Sequence, residues 1–317
     1  MSQSKSNQSS TDKVLMTLSA ISYLPFHSTS GLQENLDEAE VLDQAYDAIW
    51  SARDNTNSVY VTRNKVNGEY VLVIKGPVFQ FGLSFMFELY DNLEIAQQVH
   101  FPYSQLKDVR IAAGVLAAIQ RINSLCCDGR TLEQIVNNFA KGSKVYLTGH
   151  SLGGTIAAAY AARLAHNNRK ELEIIPYTFG APVAGNGQFA DLFNPNSNQC
   201  VFPRSSRRVN SRDIIPFAWH DLQSMPAVDY GKIKCPIDFT LCLDCLARML
   251  IINRAVYAAP TLKLQLQGRL VPDMSFFQEA ALQHQPNTYL ALLGLNPVGA
   301  DVYSYKEKRE ELLSVSL

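Results

Sequence analysis

The chain has 317 residues, 47% of them hydrophobic and only 18% charged, and 28 Lys and Arg stand against 29 Asp and Glu for a net charge of −1. The length suits one large domain or two small ones, and the charged fraction, below the roughly 25% of ordinary soluble domains, points to a large core, an apolar surface patch, or both. So balanced a charge gathers no polyanion, which excludes nucleic acid as an expected partner.

Residues 1–13, MSQSKSNQSSTDK, are polar and Ser-rich, and a disordered tail is expected there, followed by a single domain over 14–317. Val14 to Tyr23 reads as a helix packed on that domain. The apolar run continues to Leu24 but is interrupted by Thr17, Ser19 and Ser22, lies inside the chain and lacks an A-x-A site. A secretory leader is therefore not expected, and the cytoplasm is the expected compartment. No stretch reaches the length of a membrane-spanning helix. Leu36, Ala39, Leu42, Ala45, Ala48 and Ile49 recur at helical spacing, predicting a helix over 32–52. Ser58–Thr62 and Tyr70–Ile74 predict two strands joined by a turn at Asn67-Gly68, the second apolar on both faces as a central strand would be. Val78 to Tyr90, VFQFGLSFMFELY, has almost no polar face. It reads either as a fully buried helix or as an apolar flap that meets lipid or walls an acyl pocket.

A long helix is expected over Gln105–Leu125, a short one over Thr131–Phe139, and strands over Leu172–Thr178, Gln199–Phe202 and Arg207–Asn210. Alternation of helices with near-continuous apolar strands predicts an α/β fold: a mostly parallel central sheet with helices on both faces. Cys235, Cys242 and Cys245 have no second C-x-x-C and no H-x₃₋₅-H to accompany them and read as buried reduced thiols, so no metal is expected. Cys235 to Ala259 is otherwise strongly apolar and reads as a cap or membrane-touching insertion, or as a buried helix pair.

The stretch on which function turns is Lys144 to Leu164, KVYLTGHSLGGTIAAAYAARL. Val145–Thr148 is β-prone, Gly149-His150-Ser151-Leu152-Gly153 follows at once, and the Ala-rich run from Thr155 reads as a buried helix. A bare G-x-S-x-G arises by chance in roughly one chain in ten of this length. The strand before it and the helix after it are what make it a nucleophile elbow. In such a turn the glycines leave room for strand and helix to meet. The Ser151 hydroxyl is held at the strand end with the helix N-terminus beneath it, and the N–H of Leu152 points at an oxyanion formed there.

A serine hydroxyl needs a base, and the base an orienting acid; in α/β-hydrolases the chain order is Ser, Asp or Glu, His. Asp213, following the strand that ends at Asn210, is the favoured acid over Asp221, Asp229 and Asp238. His284, in a polar loop before the last helix, is the favoured base, with His220 as rival. His166 reads as a partner of a helix C-terminus, and His27 and His100 as structural. His150 is expected to face away from the nucleophile and to serve packing and hydrogen bonding.

With these residues in hand, the chain resembles the class 3 lipases, α/β-hydrolases related to the fungal triacylglycerol lipases, over roughly 35–295 in motif order. Gly149–Gly154 matches the elbow, Thr178–Pro182 with Gly185-Asn186 the next strand end and turn, Asn210–Pro216 the acid motif, and His284 with Tyr289-Leu290 the histidine motif. His100-Phe101 resembles the segment that opens the helix before the elbow. The resemblance implies a Ser151, Asp213, His284 triad. It also exposes a departure. Where the family usually has Ser or Thr, whose N–H forms half of the oxyanion hole, this chain has Pro77, which lacks that donor. A one-residue shift to the N–H of Val78 would replace it; without it, activity would be weak. A second departure is the 71-residue separation of Asp213 and His284 (284 − 213).

The expected function is hydrolysis of carboxylic esters, with acyl lipids as the substrate class, through an acyl-enzyme and without metal or organic cofactor. A peripheral contact with a membrane or lipid-droplet surface is the expected partner interaction. The alternatives are a phospholipase or acyltransferase of the same fold, or a non-catalytic lipid- or partner-binding protein on a hydrolase scaffold.

Overall fold

The described residues are 2–104, 106–168, 170–260 and 264–305 of a computed structural model. Among them, seven strands form one sheet whose spatial order follows chain order: β1 (Tyr46–Arg53), β2 (Ser58–Asn64), β3 (Tyr70–Ile74), β4 (Lys144–His150), β5 (Glu173–Phe179), β6 (Ser206–Asn210) and β7 (Leu264–Leu266). β1, β2 and β3 pair antiparallel, and from β3 to β7 every pairing is parallel. The helices are α1 (Ser2–Ile21), α2 (Thr29–Glu38), α3 (Phe85–Leu93), α4 (Ala113–Ser124), α5 (Leu132–Asn137), α6 (Leu152–His166), α7 (Gly187–Asp191), α8 (Ile237–Ile252), α9 (Phe276–Gln283) and α10 (Pro286–Leu292).

Successive side chains of a strand point to opposite faces, and β3 is buried on both. Val71 and Val73 join Leu15, Leu18 and Ile21 of α1 and Leu290 of α10 in one core. Leu72 and Ile74 join Ile119 of α4 and Ile156 of α6 in the other. The sheet is thus sandwiched between helices, an α/β-hydrolase arrangement. The turn between β2 and β3 has Gly68 at φ 73°, a conformation that costs glycine little.

Several local expectations differ. The tail expected over 1–13 falls mostly on residues whose side chains lie outside those described; α1 spans Ser2–Ile21. Within it, Asp12 accepts from Arg208 Nε at 2.5 Å and from the Tyr177 hydroxyl, a buried ion pair that ties this part of the helix to the sheet. The helix expected over 32–52 stops at Glu38, and Asp43 and Gln44 turn the chain through positive φ into β1. A bulge between Ala48 and Trp50 breaks β1's two-residue alternation, which is why its sequence mimics helical spacing.

Of the helix expected over 105–125, Gln105 lies outside the described residues, and regular helix starts only at Ala113. Residues 110–112 instead pair with 98–100 across a turn with Asp108 at φ 67°. Residues 199–202 form no strand; the N–H groups of Val201 and Phe202 both donate to Leu192 O at 2.9 Å. The segment 235–259 holds one helix, α8, rather than a pair. Phe239, Leu243, Leu246 and Leu250 face the core, while Ile237, Leu241, Ile251 and Ile252 are exposed. Cys235 and Cys242 are half-buried and Cys245 is exposed, so these thiols are not the buried set the composition suggested.

Candidate active site

The elbow forms as its sequence requires. β4 ends at His150, α6 begins at Leu152, and Ser151 between them takes φ 58° and ψ −138°. A non-glycine residue there is strained and must be held by its surroundings. The Ser151 N–H donates to Phe179 O at 2.9 Å, tying the turn to the end of β5. A Cβ at Gly153 would lie 2.2 Å from Ile74 O, and one at Gly149 2.5 Å from the same atom. Only glycine lets α6 start this close to the end of β3.

Asp213 follows β6, two parallel strands away from the elbow. His284 caps the C-terminus of α9, and the network beneath it pins that end to the sheet. Asn210 Nδ2 donates to Gln283 O at 2.9 Å and to Gln283 Oε1 at 2.7 Å. Asp213, being a carboxylate, accepts from His284 Nδ1 at 2.7 Å, which leaves Nε2 to accept from the Ser151 hydroxyl at 2.8 Å. Tyr289 donates its hydroxyl to Asp213 Oδ2 at 2.8 Å, and the Ile215 N–H donates to Oδ1 at 2.9 Å. Room for this carboxylate comes from Gly180, at φ 58°, where a Cβ would approach Asp213 Oδ2 to 3.1 Å and Tyr289 Oη to 2.9 Å. Arg207, buried nearby, has its guanidinium pushed down to about 10 by that burial, opposed by the charge of Asp213. Ser151, Asp213 and His284 are all fully buried.

The rival residues lie elsewhere. His220 stacks on Phe217 with centroids 6.4 Å apart, and His166, the last residue of α6, is exposed. His150 departs from its expected orientation. Its ring sits 4.7 Å from that of His284 and 5.3 Å from that of Tyr289, and its Nδ1 is 3.3 Å from the Tyr23 hydroxyl. It packs on the catalytic side because the tight elbow turns the residue before Ser151 under the His284 loop. Burial, and then the proximity of His284, hold its pKa well below the usual histidine value.

Leu152 is the first residue of α6, where the N–H has no intrahelical acceptor. With Pro77, Val78 and Phe79 it lines a cleft of about 690 Å³ whose apolar wall includes Leu89, Leu93 and Ile156. Val78 is half-exposed there. Phe79 lines the cleft and also packs against His284, with centroids 6.0 Å apart. Of the segment 78–90, Phe81, Phe85, Met86, Leu89 and Tyr90 are buried and Phe85 stacks on Phe239 of α8, so most of its apolar side chains face the core.

Two aromatic residues near the triad were not singled out from sequence. Tyr303 packs on His284 with centroids 4.8 Å apart, and Tyr23, at the end of the α1 segment, is 3.2 Å from it through the two hydroxyls. Neither belongs to a local motif, and both lie outside the stretch of family resemblance. Among the described residues no group of three His, Cys, Asp or Glu side chains is placed to hold a metal ion, and no helix is long and apolar enough to cross a membrane.

Sheet order and elbow together define an α/β-hydrolase fold. Comparison with known proteins agrees with this fold: residues 82–221 match the class 3 lipase family. A stretch of 96 residues is 40% identical to Lipase ZK262.3 of Caenorhabditis elegans, covering 29% of this chain and about a quarter (26%) of that relative's length. The M37 lipase structure matches with a TM-score of 0.74 at 20% identity, covering 90% of this chain and 92% of that one. A fungal lipase–inhibitor complex matches at a TM-score of 0.51 and 21% identity, covering 68% and 75%. At such identities these two likenesses speak for the fold.

Proposed function

We propose that this protein hydrolyses carboxylic esters of acyl lipids with Ser151 as nucleophile. The observation that carries the reading is the unbroken hydrogen-bonded line from Ser151 through His284 to Asp213, at 2.8 and 2.7 Å. Ser151 Oγ attacks the ester carbonyl as His284 Nε2 takes its proton. Asp213 holds the imidazole in the required tautomer and stabilises the imidazolium. The carbonyl electron pair moves onto oxygen, where the Leu152 N–H receives it. Collapse breaks the bond to the leaving alcohol, which takes the proton from His284. Water then repeats the sequence on the acyl-enzyme.

Support for an acyl-lipid substrate comes from the apolar wall, with Leu89, Leu93 and Ile156, of the part-polar cleft beside Leu152, and from the exposed aliphatic face of α8, which suits a peripheral contact with a lipid surface. Hydrolysis of p-nitrophenyl esters from acetate to palmitate by wild type and Ser151→Ala tests the reading. Turnover that rises with acyl length and vanishes in the variant is expected. Equal turnover in both proteins would end it. Pro77 is the observation that favours a second reading, a non-catalytic lipid binder. Wild type inert on every ester but bound to vesicles, with binding unchanged in Ser151→Ala, would establish that reading instead.

A further inference from the structure

Pro77 leaves the loop after β3 one donor short on the side facing the elbow. A hydroxyl stands at that place. Tyr303 is buried, its ring packed on Phe79 and on His284 with both centroids 4.8 Å away. Its hydroxyl donates to Pro77 O at 3.4 Å and lies 3.2 Å from the Tyr23 hydroxyl. The backbone that carries it is clamped by the residue after the proposed base. Gln285 Nε2 donates to Tyr303 O at 2.6 Å, and Gln285 Oε1 accepts from the N–H groups of Val302 at 2.9 Å and Tyr303 at 3.0 Å. Ser304 and Tyr305 then pair parallel with Gln80 and Phe81. Behind it, Tyr23 is fixed in turn by His150 Nδ1 at 3.3 Å. Burial, before any neighbour, raises the pKa of both tyrosines, so each keeps its proton and can donate.

We propose that the Tyr303 hydroxyl is an oxyanion donor that takes the place of the one missing at Pro77, with Tyr23 and His150 as positioning residues. The inference rests on the acyl-transfer reading above. As Ser151 Oγ bonds to the carbonyl carbon and its proton passes to His284, the carbonyl π pair becomes a lone pair on oxygen. That oxygen accepts from the Leu152 N–H and from Tyr303 O–H, and Tyr303 keeps its proton throughout. In the resting protein the same hydroxyl is engaged by Pro77 O and Tyr23, so it is already oriented before the charge develops.

The test is Tyr303→Phe in the full chain, with short-chain p-nitrophenyl ester as substrate and Ser151→Ala as control. Loss of one oxyanion donor predicts a fall in kcat of about 100-fold with KM little changed. The affinity of a trifluoromethyl ketone, whose adduct carries the oxyanion, should fall by a similar factor. A merely structural phenol would leave the ratio of adduct affinity to KM unmoved. Tyr23→Phe should give a smaller loss in kcat in the same direction. Should Tyr303→Phe fail to fold, 3,5-difluorotyrosine at 303 keeps the shape and makes the phenol a stronger acid; altered adduct affinity at unchanged KM is then expected, and none would overturn the proposal. A kcat in Tyr303→Phe equal to or above wild type would show the ring to be a cover over Ser151 and would also overturn it. Either result, with Ser151→Ala inactive, leaves the hydrolase reading standing. Turnover persisting in Ser151→Ala would remove that reading itself.

Discussion

The imidazoles of His150 and His284 pack 4.7 Å apart, both fully buried, one immediately before Ser151 and the other hydrogen-bonded to it. Two histidines so close cannot both carry charge cheaply, and the pKa of His150 is held low. The other groups around His150 are the hydroxyls and rings of Tyr23, Tyr289 and Tyr303, which are neutral. In the proposed mechanism His284 is thereby left as the group of the pair that takes the proton.

The first expected outcome follows from linkage. Folded His150 stays neutral where the unfolded chain takes up a proton near the ordinary value of 6.5. Below that pH the unfolded state binds more protons, so stability falls as pH falls, and above it the term is absent. The slope from one such group approaches about 1.4 kcal/mol per pH unit. His150→Gln should lose acid stability less steeply than wild type. Urea unfolding across the weakly acidic range measures this; parallel curves would refute it.

Tyr289 bears on the acid. Its hydroxyl is one of three donors to Asp213, with His284 Nδ1 and the Ile215 N–H. A hydrogen bond to a charged group contributes about 1.5–3 kcal/mol. Tyr289→Phe should therefore lower kcat/KM by about tenfold or more on the relation of roughly 1.4 kcal/mol per decade. An unchanged kcat/KM would mean that two donors hold the carboxylate as well as three.

Asp12 links the N-terminal helix to the sheet. Its partner Arg208, on β6, is almost wholly buried, and Tyr177 on β5 donates to the same carboxylate oxygen. Asp12→Ala leaves a buried guanidinium unpaired, and such a loss costs about 3–5 kcal/mol. Chemical denaturation should show a fall of that order. Proteolysis that begins within α1 should precede cleavage of the rest.

The outer face of α8 bears on lipid contact. Leu241 and Ile252 are exposed, while Phe239, Leu243, Leu246 and Leu250 hold the helix from beneath. Leu241→Ser with Ile252→Ser should weaken binding to phospholipid vesicles severalfold, since each exposed aliphatic transferred to lipid contributes about 1.5–3 kcal/mol at full burial. Hydrolysis of a soluble short-chain ester should be unaffected. Equal vesicle affinity would assign the contact to another face.

Much of the fold is local and was readable. The elbow announces itself because strand, glycines and small-residue helix must be contiguous for Ser151 to be presented. Asp213 and His284 could be chosen because the order of nucleophile, acid and base follows the order in which the strands enter the sheet. β1 was not readable, because a bulge at Ala48–Trp50 gives a strand the spacing of a helix. Nor was the role of Asp12, whose partner in a buried ion pair lies 196 positions away.

By itself, then, the sequence determined the elbow, the identity of the three proposed catalytic residues and the alternation of helix and strand, all written in neighbouring residues or in chain order. Only tertiary structure decided what surrounds them. Tyr23, His150, Tyr289 and Tyr303 reach the site from four separate segments, and each owes its role to hydrogen bonds and ring contacts between residues far apart in the chain. Such contacts leave no periodicity and no spacing in the sequence, because they depend on where the sheet and its helices bring those segments together.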